Sequence, residues 1–276
     1  MSHLDHHLPR QPLVSIITIV LNGKRDIRRT MDSVLAQSYQ HVEYIVIDGG
    51  STDGTLDIIE EYASRLHHWQ SEKDDGISDA FNKGINLAKG DIIGLINSGD
   101  WYETDALQYI VDAFLHDEKA GVVCGALQFW RGDQRGYLCC SVPELLHREM
   151  SVTHPTCFIL AGLYRRFGLF AEEYRLAMDY ELLLRLKCGG VSFVTLAKVL
   201  ANMQHQGVSE KNWRSALGET HRARRALLGR SFYCTTCYYY FLICKRGIRI
   251  TLERLGLERV LRFYRCHLAL VKKTKI

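Results

Sequence analysis

Six aspartates, Asp48, Asp53, Asp74, Asp75, Asp79 and Asp100, stand in polar stretches that follow apolar runs or open amphipathic ones. Carboxylates gathered in this way repel one another. Such a cluster persists where it holds a divalent cation or accepts from the N–H and hydroxyl groups of a ligand. Asp48 directly ends an apolar run, a ligand-facing position. Ser51-Thr52-Asp53-Gly54 is good turn and helix-start chemistry with or without a ligand. Asn97-Ser98-Gly99-Asp100 offers oxygen donors suited to Mg²⁺ or Mn²⁺ beside a diphosphate, and is equally a strand-ending turn. Asp179 opens the stretch Asp179–Leu186 and reads either as a helix N-cap or as a general base. Arg185, six residues on, is expected to pair within the core. His154 and His205 stand singly in loop sequence. No Ser-His-Asp order, HExxH pair or phosphate-binding P-loop occurs. Gly84, Gly90 and Gly94 do not follow a first strand in dinucleotide-binding order, which sets aside NAD enzymes and P-loop ATPases.

These residues need a frame. Leu13–Leu21, Val42–Ile47 and Asp91–Ile96 are β-branched apolar runs and predict buried parallel strands. Helical spacing predicts helices from Ile27, over Thr55–Leu66 and over Ile77–Ala88, with an edge-like strand near Trp69. Strand and helix alternate at the pitch of βαβ units, so the expected fold is α/β with a mostly parallel sheet. Right-handed crossovers put the strand C-termini on one edge, where ligands bind in such sheets, and the polar clusters at 48–54 and 97–100 fall there. Further on, Gly121–Trp130, Tyr137–Val142, Thr156–Leu160 and Val191–Met203 read as strands. Asp179–Lys187 and Glu210–Leu228 read as helices.

The chain has 276 residues, 47% hydrophobic and 24% charged, which excludes a mainly disordered or collagenous protein. The net charge of +4 conceals a split: residues 231–276 carry ten Lys and Arg against two Glu, a net of +8, and the rest carries −4. Met1–Pro12 is polar and lacks the apolar core of a signal peptide, so 1–12 is expected to be a flexible lead, although His3, His6 and His7 would also suit a metal. The nine Cys have no regular spacing and are expected to be reduced thiols of a cytoplasmic protein. Cys234 and Cys237 have CxxC spacing without a second ligand pair. No run reaches the roughly 18 apolar residues of a membrane-spanning helix. With no repeat or linker in view, one body over 13–230 with an appendage at 231–276 is expected.

The motifs combine into a family pattern. Val14–Gly23 (VSIITIVLNG), Ser33–Tyr39 (SVLAQSY) and Glu43–Thr55 (EYIVIDGGSTDGT) together resemble glycosyltransferase family 2. So do Glu72–Ile85, Gly90–Tyr102, His154-Pro155-Thr156 and Met178-Asp179-Tyr180-Glu181, over about residues 13 to 210. The branch looks like bacterial enzymes that build exopolysaccharide, capsule or O-antigen. The resemblance implies a GT-A fold: a Rossmann-like, mostly parallel sheet flanked by helices, here with a C-terminal helical appendage. It implies a hexosyltransferase of class EC 2.4, inverting, that moves a sugar from a UDP- or GDP-linked donor to an acceptor hydroxyl. It assigns Asp48 to the nucleobase and Asp79 with its neighbourhood to the nucleotide pocket, and Asn22, Asp53, Lys83 and Asn97 belong to the same nucleotide-sugar set. The family's metal motif maps onto 97–100, where Asn97 and Gly99 replace the usual carboxylates and Asp100 is retained. The implied cofactor is Mg²⁺ or Mn²⁺, held by Asp100 and by His205 from a loop. Asp179 falls at the catalytic base position. A single displacement needs one base and a metal, and no protein nucleophile.

Leu257, Leu261, Tyr264, Leu268 and Val271 run at helical spacing beside a face of Arg254, Glu258, Arg262 and Arg265, downstream of the aromatic block Tyr238–Phe241. A basic amphipathic tail with aromatics suits an anionic membrane surface, and equally suits packing on the protein's own body. No nucleic-acid module accompanies it. The expected partners are therefore a nucleotide-sugar donor, a glycan or polyprenyl-linked acceptor and the inner face of a bacterial plasma membrane. Two other readings are a sugar nucleotidyltransferase, which usually carries a Gly-rich basic loop that Leu21-Asn22-Gly23-Lys24 does not supply, and a non-catalytic nucleotide-sugar-binding relative.

Overall fold

The computed structural model of the chain describes residues 8–204, 212–229, 232–255, 257, 260 and 273–275. Its first half alternates as the apolar runs require: β1 (Val14–Val20), α1 (Ile27–Leu35), β2 (Val42–Asp48), α2 (Thr55–Tyr62), β3 (His68–Ser71), α3 (Ile77–Leu87) and β4 (Ile92–Asn97). Every residue of β1 is buried, as a central strand covered on both faces must be. The sheet runs parallel in the order β4-β1-β2-β3. Its register sets Val20 beside Asp48, Asp48 beside Ser71, and Ile19 beside Asn97. Four loops therefore leave the sheet along one edge. On one face α3 lies close to β1 because Gly84 has no side chain: a Cβ there would stand 2.4 Å from Ile17 Cγ2.

The second half is β5 (Trp101–Tyr102), α4 (Ala106–His116), β6 (Ala120–Arg131), β7 (Gln134–Cys140), β8 (Phe158–Leu160), α5 (Ala161–Phe167), α6 (Met178–Cys188) and β9 (Ser192–Gln204). It extends the sheet beyond β4 through antiparallel pairings of β8, β6 and β7, with β9 parallel to β6. The sheet is thus mixed, parallel over its first four strands and largely antiparallel beyond. Antiparallel neighbours explain why this half lacks the regular βαβ pitch in sequence. Thr156, expected to open a strand to Leu160, instead ends a 3₁₀ turn at 154–156 before β8. The helices α4 and α5 have no counterpart among the expected elements. Yet Ala106, Leu107, Ile110, Val111 and Phe114 of α4 are buried at helical spacing.

Two helices end the described chain, α7 (Trp213–Leu228) and α8 (Phe232–Arg254). They pack through a stacked His221–Tyr239 pair at 4.9 Å and Arg224 over the Tyr238 ring at 4.5 Å. The aromatic block therefore lies inside a helix. The amphipathic stretch expected from Leu257 lies outside the described residues, save Leu257 and Val260. Residues 273–275 form β10, antiparallel to β7. Among the described residues no helix is long and apolar enough to cross a membrane.

Candidate functional site

The loops after β1 and β2 are stitched into one surface. Asn22 sits in the left-handed region at φ 51°, which asparagine tolerates better than most residues. Its amide donates to Ser51 Oγ at 2.7 Å, and its side-chain oxygen accepts from the Thr52 amide at 2.9 Å. Asp53 accepts from the Lys24 amide at 3.1 Å and from the Thr55 amide at 3.0 Å, joining the same loops and opening α2. These bonds hold the exposed Asp53 carboxyl below the usual carboxylate range, the Thr55 hydroxyl contributing most.

Asp48 ends β2 as expected, but its carboxylate is wholly buried. It accepts from the amides of Gly50 and Ser51 and from the hydroxyls of Ser51 and Ser71, at 2.5 to 3.0 Å. In this structure Asp48 is turned into its own loop, where its two oxygens accept several bonds at once and hold the backbone at 50–51. Asp74 lies against this loop, and a Cβ on Gly49 would stand 2.3 Å from its Oδ2.

Asp79 and Lys83 come together one turn apart on α3. Lys83 Nζ lies 3.1 Å from Asp79 and 2.8 Å from Glu72, and Asp79 also accepts from the Asp75 amide at 3.0 Å. The Asp75 amide and Lys83 hold the Asp79 carboxyl low, and Glu72 and Asp79 hold the Lys83 ammonium high.

Asn97 ends β4, and the turn after it tucks under α1. Thr30 Oγ1 donates to the Asp100 carbonyl at 2.7 Å and accepts from the Gly99 amide at 2.9 Å, and Arg29 donates to the Gly99 carbonyl at 2.8 Å. Gly99 has φ 101°, a backbone conformation that glycine alone adopts freely. Asp100 is buried. Burial pushes its carboxyl up to about 8, against a hydrogen bond from Asn97 and the charge of Arg29. Asp100 Oδ2 and Ser98 Oγ are buried with no hydrogen-bond partner among the described residues. Orphaned oxygens of this kind call for a donor or a cation, and the donor set of Asn97, Ser98 and Asp100 is all hard oxygen, which fits Mg²⁺ or Mn²⁺. Among the described residues no three His, Cys, Asp or Glu side chains converge on a metal position. His205 lies outside the described residues.

Asp179 is the second residue of α6, not its N-cap, which is Ala177. Its Oδ1 accepts from the Tyr180 amide at 2.7 Å. Burial raises the Asp179 carboxyl, and the nearby His154 opposes the shift. Burial lowers the His154 imidazole, with Asp179 opposing. Phe81 of α3 and Phe170 pack on His154 at ring distances of 5.6 and 6.0 Å. Helix α3 thus carries Asp79 and Lys83 on one side and braces the Asp179–His154 pair on the other. It also grips the loop that leads into α6. Asn82 exchanges two hydrogen bonds with the Phe170 backbone at 2.9 and 3.0 Å, and Ser78 donates to the Tyr174 carbonyl at 3.0 Å. Behind α6, Arg185 pairs with Glu181 at 2.8 Å and donates to the carbonyls of Phe167, Gly168 and Leu169. From α7, Glu219 Oε2 accepts from the amides of Leu176 and Ala177 at 2.8 and 2.9 Å.

Sequence reading missed Asn82, Glu219 and the pairing of His154 with Asp179. The motif around 154–156 pointed to the last. Nothing local in sequence signals a helix capped by a residue some forty positions on.

Comparison with known proteins completes the picture. The family model described as Glycosyl transferase family 2 matches residues 15–138. An uncharacterized glycosyltransferase of Mycobacterium tuberculosis is 32% identical over 245 residues, covering 80% of this chain and 92% of the relative. The hyaluronan synthase of Pasteurella multocida is 30% identical over 208 residues, which is 72% of this chain and 21% of that much longer protein. Among solved structures, the mannosyltransferase PcManGT of Pyrobaculum calidifontis, in complex with GDP-Man and Mn²⁺, aligns with TM-score 0.66 at 17% identity over 92% of this chain and 81% of its own. S. aureus TarS 1-349 in complex with UDP-GlcNAc aligns with TM-score 0.60 at 18% identity over 76% of this chain and 66% of its own. At these identities the structures establish the shared GT-A fold.

Proposed function

The chain belongs to glycosyltransferase family 2, and from that membership we propose an inverting transfer of a sugar from a UDP- or GDP-linked donor to an acceptor hydroxyl on a lipid-linked or growing cell-surface polysaccharide. The observation that carries this reading is the meeting of two assemblies across α3. One comprises the four loops at the C-terminal edge of β1 to β4, the other the Asp179–His154 pair.

In this reading the donor nucleotide lies along the edge built by Asn22, Asp53, Asp79, Lys83 and Asn97. Asp48 acts from beneath by fixing the loop at 49–51. Asp179 takes the proton of the acceptor hydroxyl. Its burial strengthens it as a base relative to an exposed carboxylate, because a raised pKa holds the transferred proton more firmly. The hydroxyl oxygen bonds to the anomeric carbon from the face opposite the diphosphate. The bond from that carbon to the diphosphate oxygen breaks, and its electron pair leaves with the nucleoside diphosphate. Mg²⁺ or Mn²⁺, when bound at Asp100 with Asn97 and His205, would neutralise charge on the diphosphate. The likeness to a mannosyltransferase solved with GDP-Man and Mn²⁺ supports both donor class and metal.

The tail gives the second part of the reading, peripheral attachment to the inner face of a bacterial plasma membrane. Six of the eight large apolar side chains exposed among the described residues stand between 240 and 260: Tyr240, Phe241, Ile248, Leu255, Leu257 and Val260. This apolar surface lies within the region of net charge +8, the combination an anionic bilayer binds. A thermal-shift screen of UDP- and GDP-sugars with and without Mn²⁺ tests the donor reading. A sugar nucleotide that raises Tm, more so with Mn²⁺, supports it, and no shift with any of them overturns it.

A further inference from the structure

We infer that Glu219 is a positioning residue for the reaction, acting on Asp179 through the entry of its helix and through charge. The inference rests on the assignment of Asp179 as base. Helix α6 starts without a capping side chain of its own, since its N-cap is Ala177, so the amides at its entry need an acceptor from elsewhere. Glu219 of α7 supplies it: one carboxylate oxygen, Oε2, takes both the Leu176 and the Ala177 amides. Those amides lie two and three residues before Asp179. The contact therefore fixes the first turn of the helix that aims the base. Arg222, three residues along α7, donates to the Glu173 carbonyl at 2.7 Å and lies over the Tyr174 ring at 4.6 Å, so the same face of α7 holds the whole entry segment.

The charge of Glu219 also acts on Asp179, in the direction that raises its carboxyl. The groups around Asp179 are His154 and Cys157 from the segment before β8, the Tyr180 amide of its own helix, and Glu219 from α7. Glu219 is the member of this set that acts with burial to favour the protonated carboxyl, against His154 and the Tyr180 amide. Its hydrogen bonds hold the entry of the helix that carries the base, and its charge acts on that base in the same direction as burial.

The two effects separate by substitution. Glu219→Gln keeps a carbonyl oxygen for the two amides and removes the charge, whereas Glu219→Ala removes both. The measurements use the full chain with UDP-GlcNAc and GDP-mannose as donors, following nucleoside diphosphate release across pH. The pH titration of the Asp179 carboxyl carbon by NMR serves as a readout independent of turnover. Glu219→Gln is expected to keep kcat on the plateau while moving the acid limb of kcat, and the Asp179 titration, to lower pH. Glu219→Ala is expected to lower kcat by about 10²-fold with donor KM little changed, as a misplaced base does. A Glu219→Gln profile and titration that superimpose on wild type overturn the inference, as does wild-type kcat in Glu219→Ala. If Asp179→Asn retains full transfer, the base assignment itself fails. If Asp179→Asn is inactive while the Glu219 variants leave kcat, profile and titration unmoved, only the role of Glu219 fails.

Discussion

Replacing Asn82 by alanine tests how the catalytic half is held on the nucleotide half. The Asn82 side chain is buried, and it satisfies both backbone groups of Phe170, donating to the carbonyl at 3.0 Å and accepting from the amide at 2.9 Å. Asn82→Ala strands a buried N–H and a buried C=O, each at about 1–3 kcal/mol, so the total cost is about 2–6 kcal/mol. For a chain of this size 1 kcal/mol corresponds to roughly 2–4 °C, which places the loss in Tm at about 4–24 °C. Urea unfolding followed by far-UV circular dichroism gives the free-energy difference directly. Asn82→Asp keeps an acceptor for the amide but turns a second acceptor on the carbonyl, and should also destabilise. Ser78→Ala, which removes one bond to the Tyr174 carbonyl, should cost less, about 1 kcal/mol. An Asn82→Ala protein within about 0.5 kcal/mol of wild type would refute the claim that this clamp fixes the entry to α6.

Other consequences follow from the same geometry. Asp179→Asn should abolish transfer yet unfold at higher denaturant than wild type at neutral pH. The folded carboxyl titrates above its unfolded value, so its stabilising contribution is full at low pH and is lost as pH rises through the folded pKa; the two proteins should converge in acid. Gly84→Ala puts a Cβ 2.4 Å from Ile17 Cγ2 and should cost about 1–3 kcal/mol in the same unfolding assay, through overpacking between α3 and β1. Ile248→Glu and Phe241→Glu change exposed positions on α8 and should leave stability within about 0.5 kcal/mol, while lowering co-sedimentation with phosphatidylglycerol vesicles. Undiminished sedimentation would remove the membrane role from this helix.

The first half of the fold was legible because both local signals agree there. The runs at β1, β2 and β4 are apolar throughout, the helices between them are amphipathic, and each strand ends in a polar turn. That same punctuation made Asp48, Asp53, Asp79 and Asn97 readable as candidates, whereas Lys83 came with the family resemblance. It did not reveal what Asp48 does, since facing a ligand and organising a loop both require a carboxylate after a strand. The second half was harder because its pairings are non-local: β9 lies between Ser192 and Gln204 yet pairs with β6 and β5. Helix α4 had a readable pattern in Leu107, Ile110, Val111 and Phe114. The short α5 and the 3₁₀ turn at 154–156 had none. Trans contacts such as Glu219 on α6 and Asn82 on Phe170 leave no trace in spacing, because the chain between the partners carries no constraint on which residues meet.

The central claim is that one carboxylate, Asp179, drives transfer from a nucleotide sugar bound at the C-terminal edge of the sheet. It is tested most directly by incubating wild type and Asp179→Asn with UDP-GlcNAc or GDP-mannose, Mn²⁺ and a lipid-linked glycan extract. The leaving group and the anomeric configuration of the product are then identified by NMR. The account predicts nucleoside diphosphate release and an inverted anomeric centre with wild type, and donor binding without transfer in Asp179→Asn. Pyrophosphate release, retained anomeric configuration or full transfer by Asp179→Asn would contradict it.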